Sequence, residues 1–134
     1  TKAPLEDYNH FRNAAVANQL QDAGVDVLLG AHGQREGLGS HWEMWMFAQG
    51  GMSPMNVLKA ATLDGAKYIG MDHDIGSLEA GKLADLIILD ANPLEDIRNS
   101  DKVNQVMLNG RLYDAQTMNQ VFPEKVSRAK FYFE

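Results

Sequence analysis

The sequence predicts an α/β fold, in which helices dominate the first half of the chain and a small antiparallel sheet forms the second. Two observations support this prediction. Near residue 74 the composition changes from a segment rich in Ala, Gly, Met and Trp to one rich in Asp, Leu, Ile, Val and Asn. Farther along, Asn109-Gly110 separates two apolar runs, which is the pattern of a type I′ β-hairpin. We therefore divide the chain into units at residues 1–74 and 75–120, followed by a tail at residues 121–134.

The first predicted helix spans residues 5–23. Glu6 and Asp7 fall in its first turn, where negative charge complements the helix dipole, and Gly24 stands where a C-terminal cap is expected. Residues 25–29 form a short β-rich run. We expect them to be a strand buried on both faces, as parallel strands in α/β folds are.

A polar, glycine-rich loop and two helices are predicted next. The loop covers residues 30–40, and the helix at residues 41–49 is apolar nearly all round, so it is expected to be buried. Ser53 and Pro54 have the residue types of an N-cap and a first helical position. An apolar and small-residue stripe at helical spacing continues through residues 58–69 and predicts one further helix.

The second half of the chain is predicted to be mainly β. Strands are expected at residues 83–89, 103–108 and 111–113, the last two joined by the hairpin turn. One helical turn is expected at residues 94–97. A short final helix, capped by Asp114, is expected at residues 114–120, and the remaining tail has no readable pattern.

Length and composition restrict the possible functions. A complete eight-stranded α/β barrel needs about 250 residues, so the 134 residues of this chain can hold only part of one. The net charge of −6 argues against a nucleic-acid partner, which binds a concentrated basic surface. No apolar run approaches the roughly 20 residues that span a bilayer. No targeting segment is visible after Thr1, which a fragment would lack in any case, so cytoplasm and periplasm both stay open.

Polar side chains concentrate just after the predicted strand at residues 25–29. A loop that follows a barrel strand and precedes a helix lies on the C-terminal face of the barrel, where active sites form. His32 falls at or just beyond the end of the strand, and a neutral imidazole there can bind a metal or act as a general base. The candidate residues in this region are His32, Gln34, Arg35, Glu36, His41 and Glu43.

Less specific interpretations compete with a catalytic one. His41 and Glu43 lie two residues apart on a helix, so they diverge by about 200° and cannot both face one ion. Their spacing does not match His-Glu-x-x-His. By default a glycine-rich loop is only a connection, with Arg35 and Glu36 exposed or paired with each other. Asp85, inside an apolar run, is expected to accept hydrogen bonds or to pair with Lys82 rather than to catalyse.

Seven short motifs occur in an informative order along residues 5–120. They are Gly30-Ala31-His32-Gly33-Gln34, Gly37-Leu38-Gly39, His41-Trp42-Glu43, Ala60-Ala61-Thr62, Gly76-Ser77-Leu78, Gly81-Lys82-Leu83-Ala84-Asp85-Leu86 and Asn109-Gly110-Arg111. In this order they resemble the C-terminal end of the metal-dependent amidohydrolase superfamily, in its imidazolonepropionase and prolidase-like branch. Most similar are the bacterial amidohydrolases that are joined to an N-terminal β-propeller.

The resemblance implies a TIM barrel that holds one or two divalent metals, often zinc, and activates a water for attack on an amide-type carbonyl. It aligns residues 25–29 with the eighth barrel strand, after which the superfamily carries a metal-binding aspartate. His32 occupies that position here, so it is the candidate metal ligand and catalytic residue. Because a histidine replaces the aspartate, the resemblance does not identify the group that accepts the proton of the water. Glu36 and Glu43 are further catalytic candidates for this role. Gln34, Arg35 and His41 are the candidate substrate-binding residues.

The function implied by the resemblance is that of the C-terminal part of a hydrolase acting on carbon–nitrogen bonds in amide, cyclic amide or dipeptide-like substrates. Residues 75–120 then form part of the superfamily's small β domain. We expect this fragment to be inactive alone, because the other ligand-bearing strands are absent from it. The remainder of its own chain or a homo-oligomer should cover the incomplete barrel. The alternative is a non-catalytic scaffold or oligomerisation module derived from an amidohydrolase.

Overall fold

A computed structural model describes residues 3–4, 7–33 and 35–134. Helices come first and an antiparallel sheet follows, as the sequence predicts. The helices are α1 (Asn9–Asp22), α2 (Leu38–Gln49), α3 (Pro54–Ala60) and α4 (Leu63–Tyr68). The strands are β1 (Leu86–Leu89), β2 (Val103–Leu108), β3 (Arg111–Asp114) and β4 (Gln120–Phe122), with a 3-10 helix (Ile97–Asp101) between β1 and β2. None of the helices in these described ranges is long and apolar enough to cross a membrane.

Helix α1 begins later than predicted. Tyr8 has an extended backbone (φ −92°, ψ 102°) and acts as the N-cap, so the helix starts at Asn9. Asp7 therefore lies before the helix, and the prediction that it belongs to the first turn is wrong. The predicted positions Leu5 and Glu6 lie outside the described residues.

Helix α1 ends at the glycine that the sequence singles out. Gly24 has φ +84° and follows the C-cap residue. Its N–H donates to the Gln21 carbonyl at 3.0 Å, and the N–H of Val25 donates to the Leu20 carbonyl at 2.9 Å. This pair of bonds is a Schellman motif, which satisfies carbonyls that the helix leaves open.

The predicted strand at residues 25–29 is not a strand in the structure. Its backbone is held by two contacts from other elements. The N–H of Leu29 donates to the Ala60 carbonyl at 3.3 Å, and the N–H of Val27 donates to the Gln21 side chain at 3.1 Å. A parallel strand exists only beside a neighbour, and no other strand of the described ranges lies next to this segment.

Helix α2 ends at Gln49 as predicted but begins three residues early, directly after Gly37, whose φ is +72°. The expectation that it is buried holds for one side only. Met44 and Phe47 are buried in the core, together with Met52, Val57 and Ile97. Trp42, on the other side, is 45% exposed.

The stripe predicted as one helix forms two short helices. Ser53 caps α3 as predicted, since its Oγ accepts the N–H of Asn56 at 3.3 Å, and Pro54 occupies the first turn. The break occurs at Thr62, whose backbone leaves the helical region (φ −135°, ψ −91°). The Thr62 hydroxyl donates back to the Leu58 carbonyl at 2.7 Å, which satisfies the hydroxyl at the break.

The four strands pair antiparallel in the order β1-β2-β3-β4. The predicted hairpin is confirmed, because Asn109 and Gly110 have φ +48° and +77°, the signs of a type I′ turn. Strand β2 has the predicted bounds, whereas β1 starts at Leu86 rather than at residue 83. The N–H of Leu83 is instead bonded to the Asp74 carbonyl at 2.9 Å.

The predicted helix at residues 114–120 is wrong. Asp114 Oδ1 accepts the N–H of Thr117 at 2.8 Å and its hydroxyl at 2.6 Å, which closes a turn. Met118 then takes a left-handed backbone (φ +59°), and the chain returns as β4. An aspartate that caps a helix and one that closes a turn have the same local sequence signal.

The 3-10 helix joins the two halves of the molecule. It begins at Ile97, where the single helical turn predicted at residues 94–97 was expected to end. Ile97 is 7% exposed and packs in the core with Met44 and Phe47 of α2. The segment between β1 and β2 therefore contacts the helix that follows the polar loop.

Candidate functional site

The loop at residues 30–37, called the candidate loop below, is attached to α2. Glu43 Oε2 accepts the N–H of Gly30 at 2.8 Å, across 13 residues. At the other end of the loop the N–H of Gly39 donates to the Arg35 carbonyl at 2.8 Å. A Cβ placed on Gly39 would lie 3.4 Å from the Ala31 Cβ, which leaves little room for a side chain there. The candidate loop therefore folds closely against the first turns of α2.

His32 has an unusual backbone in this loop. Its φ is +60°, and Gly33 after it has φ +71°, so two consecutive residues are left-handed. Such a backbone is uncommon outside glycine and costs on the order of 1 kcal/mol or more. The His32 side chain is exposed. Within the part of the chain that the structure describes, no residue hydrogen-bonds to its ring.

Two further candidate residues of the loop are also at the surface. Arg35 and Glu36 are exposed, and no ion pair joins them among the described residues. Gln34, a candidate substrate-binding residue, lies outside the described residues. The described part of the loop thus presents an imidazole, a guanidinium and a carboxylate to solvent, and no pairing joins these three groups there.

The side chains of His41 and Glu43 contact different residues. The Nδ1 of His41 lies 3.1 Å from the Ser100 Oγ, while Glu43 contacts Gly30. This divergence agrees with the angle expected for two residues two positions apart on a helix. In residues 3–4, 7–33 and 35–134 no group of three or more His, Asp or Glu is placed to hold a metal ion. The region therefore offers single donors, not a complete ligand set.

Ser100 is a residue of this region that sequence reasoning did not identify. Its Oγ also accepts the indole N–H of Trp45 at 3.1 Å, and Ser100 is 2% exposed. Arg98 stands over the Trp45 ring, 5.3 Å from its centroid. The contacts of Ser100 reach back 55 and 59 residues, so no local spacing signals them.

Asp85 has the structural role expected for it. Its Oδ1 accepts the N–H of Asn109 at 2.6 Å, which ties the segment before β1 to the hairpin turn. Of the two alternatives expected for Asp85, hydrogen-bond acceptance is confirmed, whereas Lys82 has other partners. Lys82 Nζ instead lies 3.4 Å from Glu79 Oε1 and 2.5 Å from the Ser77 Oγ, because the turn at residues 76–81 brings those side chains closer.

Carboxyl groups in two turns of the second half of the chain have lowered pKa values. The hydrogen bond from the Ser77 hydroxyl, followed by the charge of Lys82, lowers the pKa of Glu79. The Thr117 hydroxyl and N–H lower the pKa of Asp114.

Known proteins resemble the chain over most of its length. The sequence profile described as the amidohydrolase family matches residues 12–113. The S-triazine hydrolase of Gordonia rubripertincta is 41% identical over an alignment of 71 positions, which covers 44% of this chain and 15% of that protein. The imidazolonepropionase of Shouchella clausii is 46% identical over 55 residues, which are 41% of this chain and 12% of that protein.

Solved structures give the same result for the fold. A Xaa-Pro dipeptidase with bound methionine in its active site matches with a TM-score of 0.69 and 31% identity, covering 76% of this chain and 25% of that one. Molinate hydrolase matches with a TM-score of 0.63 and 28% identity, covering 84% of this chain and 27% of that one. The chain thus spans only a small part of each protein that it matches.

Proposed function

Because the chain belongs to the amidohydrolase family, we propose that it forms the C-terminal part of a metal-dependent hydrolase. The enzyme would hydrolyse carbon–nitrogen bonds in substrates that are amides, cyclic amides or dipeptide-like compounds. The observation that carries this proposal is the structural match to a Xaa-Pro dipeptidase, at 31% identity over 76% of the chain but only 25% of the enzyme. The match favours a piece of such an enzyme over a separate scaffold module.

In this proposal residues 1–74 supply the last helix–strand–helix unit of a TIM barrel. Residues 25–29 lie between α1 and the candidate loop, which leads into α2, and a barrel strand, its loop and its helix follow one another in this order. Residues 25–29 become a strand once neighbouring strands flank them. Residues 75–120 then supply part of a small β domain that packs beside the barrel, with β4 extending its sheet to residue 122.

Exposed apolar side chains support the proposal that a further part of the protein packs against this chain. Val25 is 51% exposed and Trp42 is 45% exposed. Ile87 of β1 is 53% exposed, although it pairs with Val106, and β1 lies at one edge of the sheet. Exposed apolar strands at a sheet edge invite pairing. We propose that the remainder of the same polypeptide covers this apolar surface. The alternative is that a second copy of the chain covers it.

His32 fits the role of one metal ligand. Its imidazole is exposed on a sharply turned backbone, and no described residue occupies its nitrogens. It would hold a divalent ion, zinc in this proposal, together with side chains from outside this chain. When bound, such an ion lowers the pKa of its water and polarises the substrate carbonyl.

Three residues of this chain are candidates to accept the proton of the attacking water. His32 can do so only in place of binding the metal, because a neutral imidazole has a single nitrogen that can accept. Glu36 is exposed, so its carboxylate is available. Glu43 already uses Oε2 to accept the N–H of Gly30, which leaves Oε1 for such a role and gives the residue a second task in holding the loop.

Substrate binding is proposed for Gln34, Arg35 and His41. The exposed guanidinium of Arg35 is suited to a carboxylate, as found in dipeptide-like substrates. The Gln34 amide can donate to or accept from an amide group. His41 contacts Ser100 through Nδ1, and none of the described residues hydrogen-bonds to its other ring nitrogen.

The test compares the full-length protein with the 134-residue chain. Both are loaded with zinc and assayed against N-acyl amino acids, Xaa-Pro dipeptides and cyclic amides. We expect hydrolysis of at least one class by the full-length protein and none by the chain alone. Zinc-dependent turnover by the chain alone, or none by the zinc-loaded full-length protein, would contradict the proposal.

A further inference from the structure

We propose that Ser100 is a positioning residue that fixes His41 in one tautomer, so that His41 presents its Nε2–H to an acceptor oxygen of the substrate. This inference rests on the proposed function, in which His41 contacts the substrate. It adds a residue from the second half of the chain, 59 positions from His41. The argument depends on how the single hydroxyl hydrogen of Ser100 can be used.

The Ser100 hydroxyl has two ring partners, each 3.1 Å from its Oγ. The indole nitrogen of Trp45 can only donate, so Oγ accepts from it. The hydroxyl keeps one hydrogen to donate. His41 Nδ1 is the other partner of Oγ within the described ranges, so it receives that hydrogen.

A neutral imidazole that accepts at Nδ1 carries its own proton at Nε2. Ser100 therefore selects the Nε2–H tautomer of His41. The opposite arrangement would have Nδ1–H donate to Oγ and leave the hydroxyl hydrogen of a 2% exposed serine without a partner. Leaving a buried donor unsatisfied is unfavourable. The available edge of His41 is thus a hydrogen-bond donor, which suits a carbonyl or carboxylate oxygen.

The position of Ser100 is itself well determined. It lies on the 3-10 helix whose Ile97 is part of the core. Trp45 is held on one side by Ser100 and covered by Arg98 at 5.3 Å. Because these contacts join the 3-10 helix to α2, the second half of the chain orients a side chain at the start of α2.

The test reads the tautomer of His41 directly. The full-length protein is labelled with 15N-histidine, and long-range 1H–15N correlations are recorded at about pH 8, where imidazole is neutral. A His41→Gln variant assigns the signals. We expect the Nε2–H tautomer in the wild-type protein, a mixture of tautomers in Ser100→Ala, and retention of the Nε2–H tautomer in Trp45→Phe.

Trp45→Phe is the matched control, because it removes the other hydrogen bond of Ser100 but leaves the one to His41. The proposal is overturned by an Nδ1–H tautomer in the wild-type protein, a result that needs no variant to fold. It is also overturned if Ser100→Ala keeps the wild-type tautomer, or if Trp45→Phe loses it to the same extent.

Kinetics of the full-length enzyme complete the test. Ser100→Ala should raise KM about fivefold while changing kcat less, since a hydrogen bond to the bound substrate is weakened. An unchanged KM alongside an altered tautomer overturns the role in substrate binding. If His41 keeps the Nε2–H tautomer but the full-length protein has no hydrolase activity, the proposed function is refuted instead. Failure of the role of Ser100 and failure of the proposed function are therefore distinguishable.

Discussion

Glu43 in α2 accepts the N–H of Gly30 at 2.8 Å and so attaches the start of the candidate loop to the helix that follows it. His32 lies two residues beyond this contact, on a left-handed backbone. Because the loop between Gly30 and α2 is short, this contact limits where His32 can be. The bond therefore connects a helix of the scaffold to the residue proposed as a metal ligand.

Replacing Glu43 should destabilise the fold in a graded way. Glu43→Ala removes the acceptor and should lower the free energy of unfolding by about 1 kcal/mol. Glu43→Gln keeps an acceptor oxygen and should lose about half as much. Urea unfolding of both variants checks this prediction, and equal losses in the two would show that the Gly30 contact contributes nothing.

Gly50 is a site of close helix packing. A Cβ at this position would lie 2.2 Å from the backbone carbon and oxygen of Ala14 in α1. The backbone of Gly50 is right-handed (φ −78°), so packing alone forbids a side chain. Gly50→Ala should destabilise the protein by about 2–3 kcal/mol, measured by thermal unfolding.

Gly65→Ala is the control for this substitution. Gly65 lies inside α4, and the nearest atom to an added Cβ is the Ala60 oxygen at 3.9 Å. Alanine favours a helix interior over glycine by about 1 kcal/mol, so this variant should be stabilised. Similar destabilisation by both variants would contradict the close approach of α1 and α2.

Gly24 tests backbone strain without a packing change. Its φ is +84°, and no atom lies within 4 Å of an added Cβ. Gly24→Ala should cost about 1 kcal/mol because alanine disfavours the left-handed region. Gly30→Ala, where the space is equally open but φ is not in that region, should cost less. Unfolding midpoints that rank the two variants in the opposite order would refute the Schellman ending of α1.

The stability of the turn after β3 should depend on pH. The hydrogen bonds from Thr117 lower the pKa of Asp114 in the folded state. A lowered folded pKa adds stability above the unfolded pKa, and this stability is lost as the pH falls through the folded value. The loss should therefore occur below about pH 4.

Thr117→Val isolates this effect because it removes the hydroxyl that bonds Asp114. The difference in unfolding free energy between wild type and Thr117→Val should shrink as the pH is lowered from 5 to about 2. A difference that is constant over this range would mean that Asp114 does not contribute through its charge.

The features predicted correctly from the sequence are those determined by nearby residues. Ser53 and Pro54 start α3 as expected because capping involves only the next three residues. Asn109 and Gly110 form the hairpin turn because both tolerate positive φ. Short-range chemistry of this kind is fully present in the sequence.

The features predicted wrongly or missed depend on distant partners. Residues 25–29 have β propensity but no neighbouring strand in the described ranges, so they form no strand there. The role of Ser100 depends on His41 and Trp45, more than 50 residues away. Of the candidate site, the helix that follows the loop was predictable, whereas the strand before it and the contacts that orient its side chains were not.

The most direct test of the central claim is the zinc content of the full-length protein with and without His32. Metal is measured by mass spectrometry of dialysed wild type, His32→Ala and the control His73→Ala, an exposed histidine outside the candidate loop. We expect His32→Ala to bind at least tenfold more weakly, as loss of a direct ligand should, while His73→Ala matches wild type. Full zinc occupancy in His32→Ala would contradict the claim that this residue is a ligand of the metal centre.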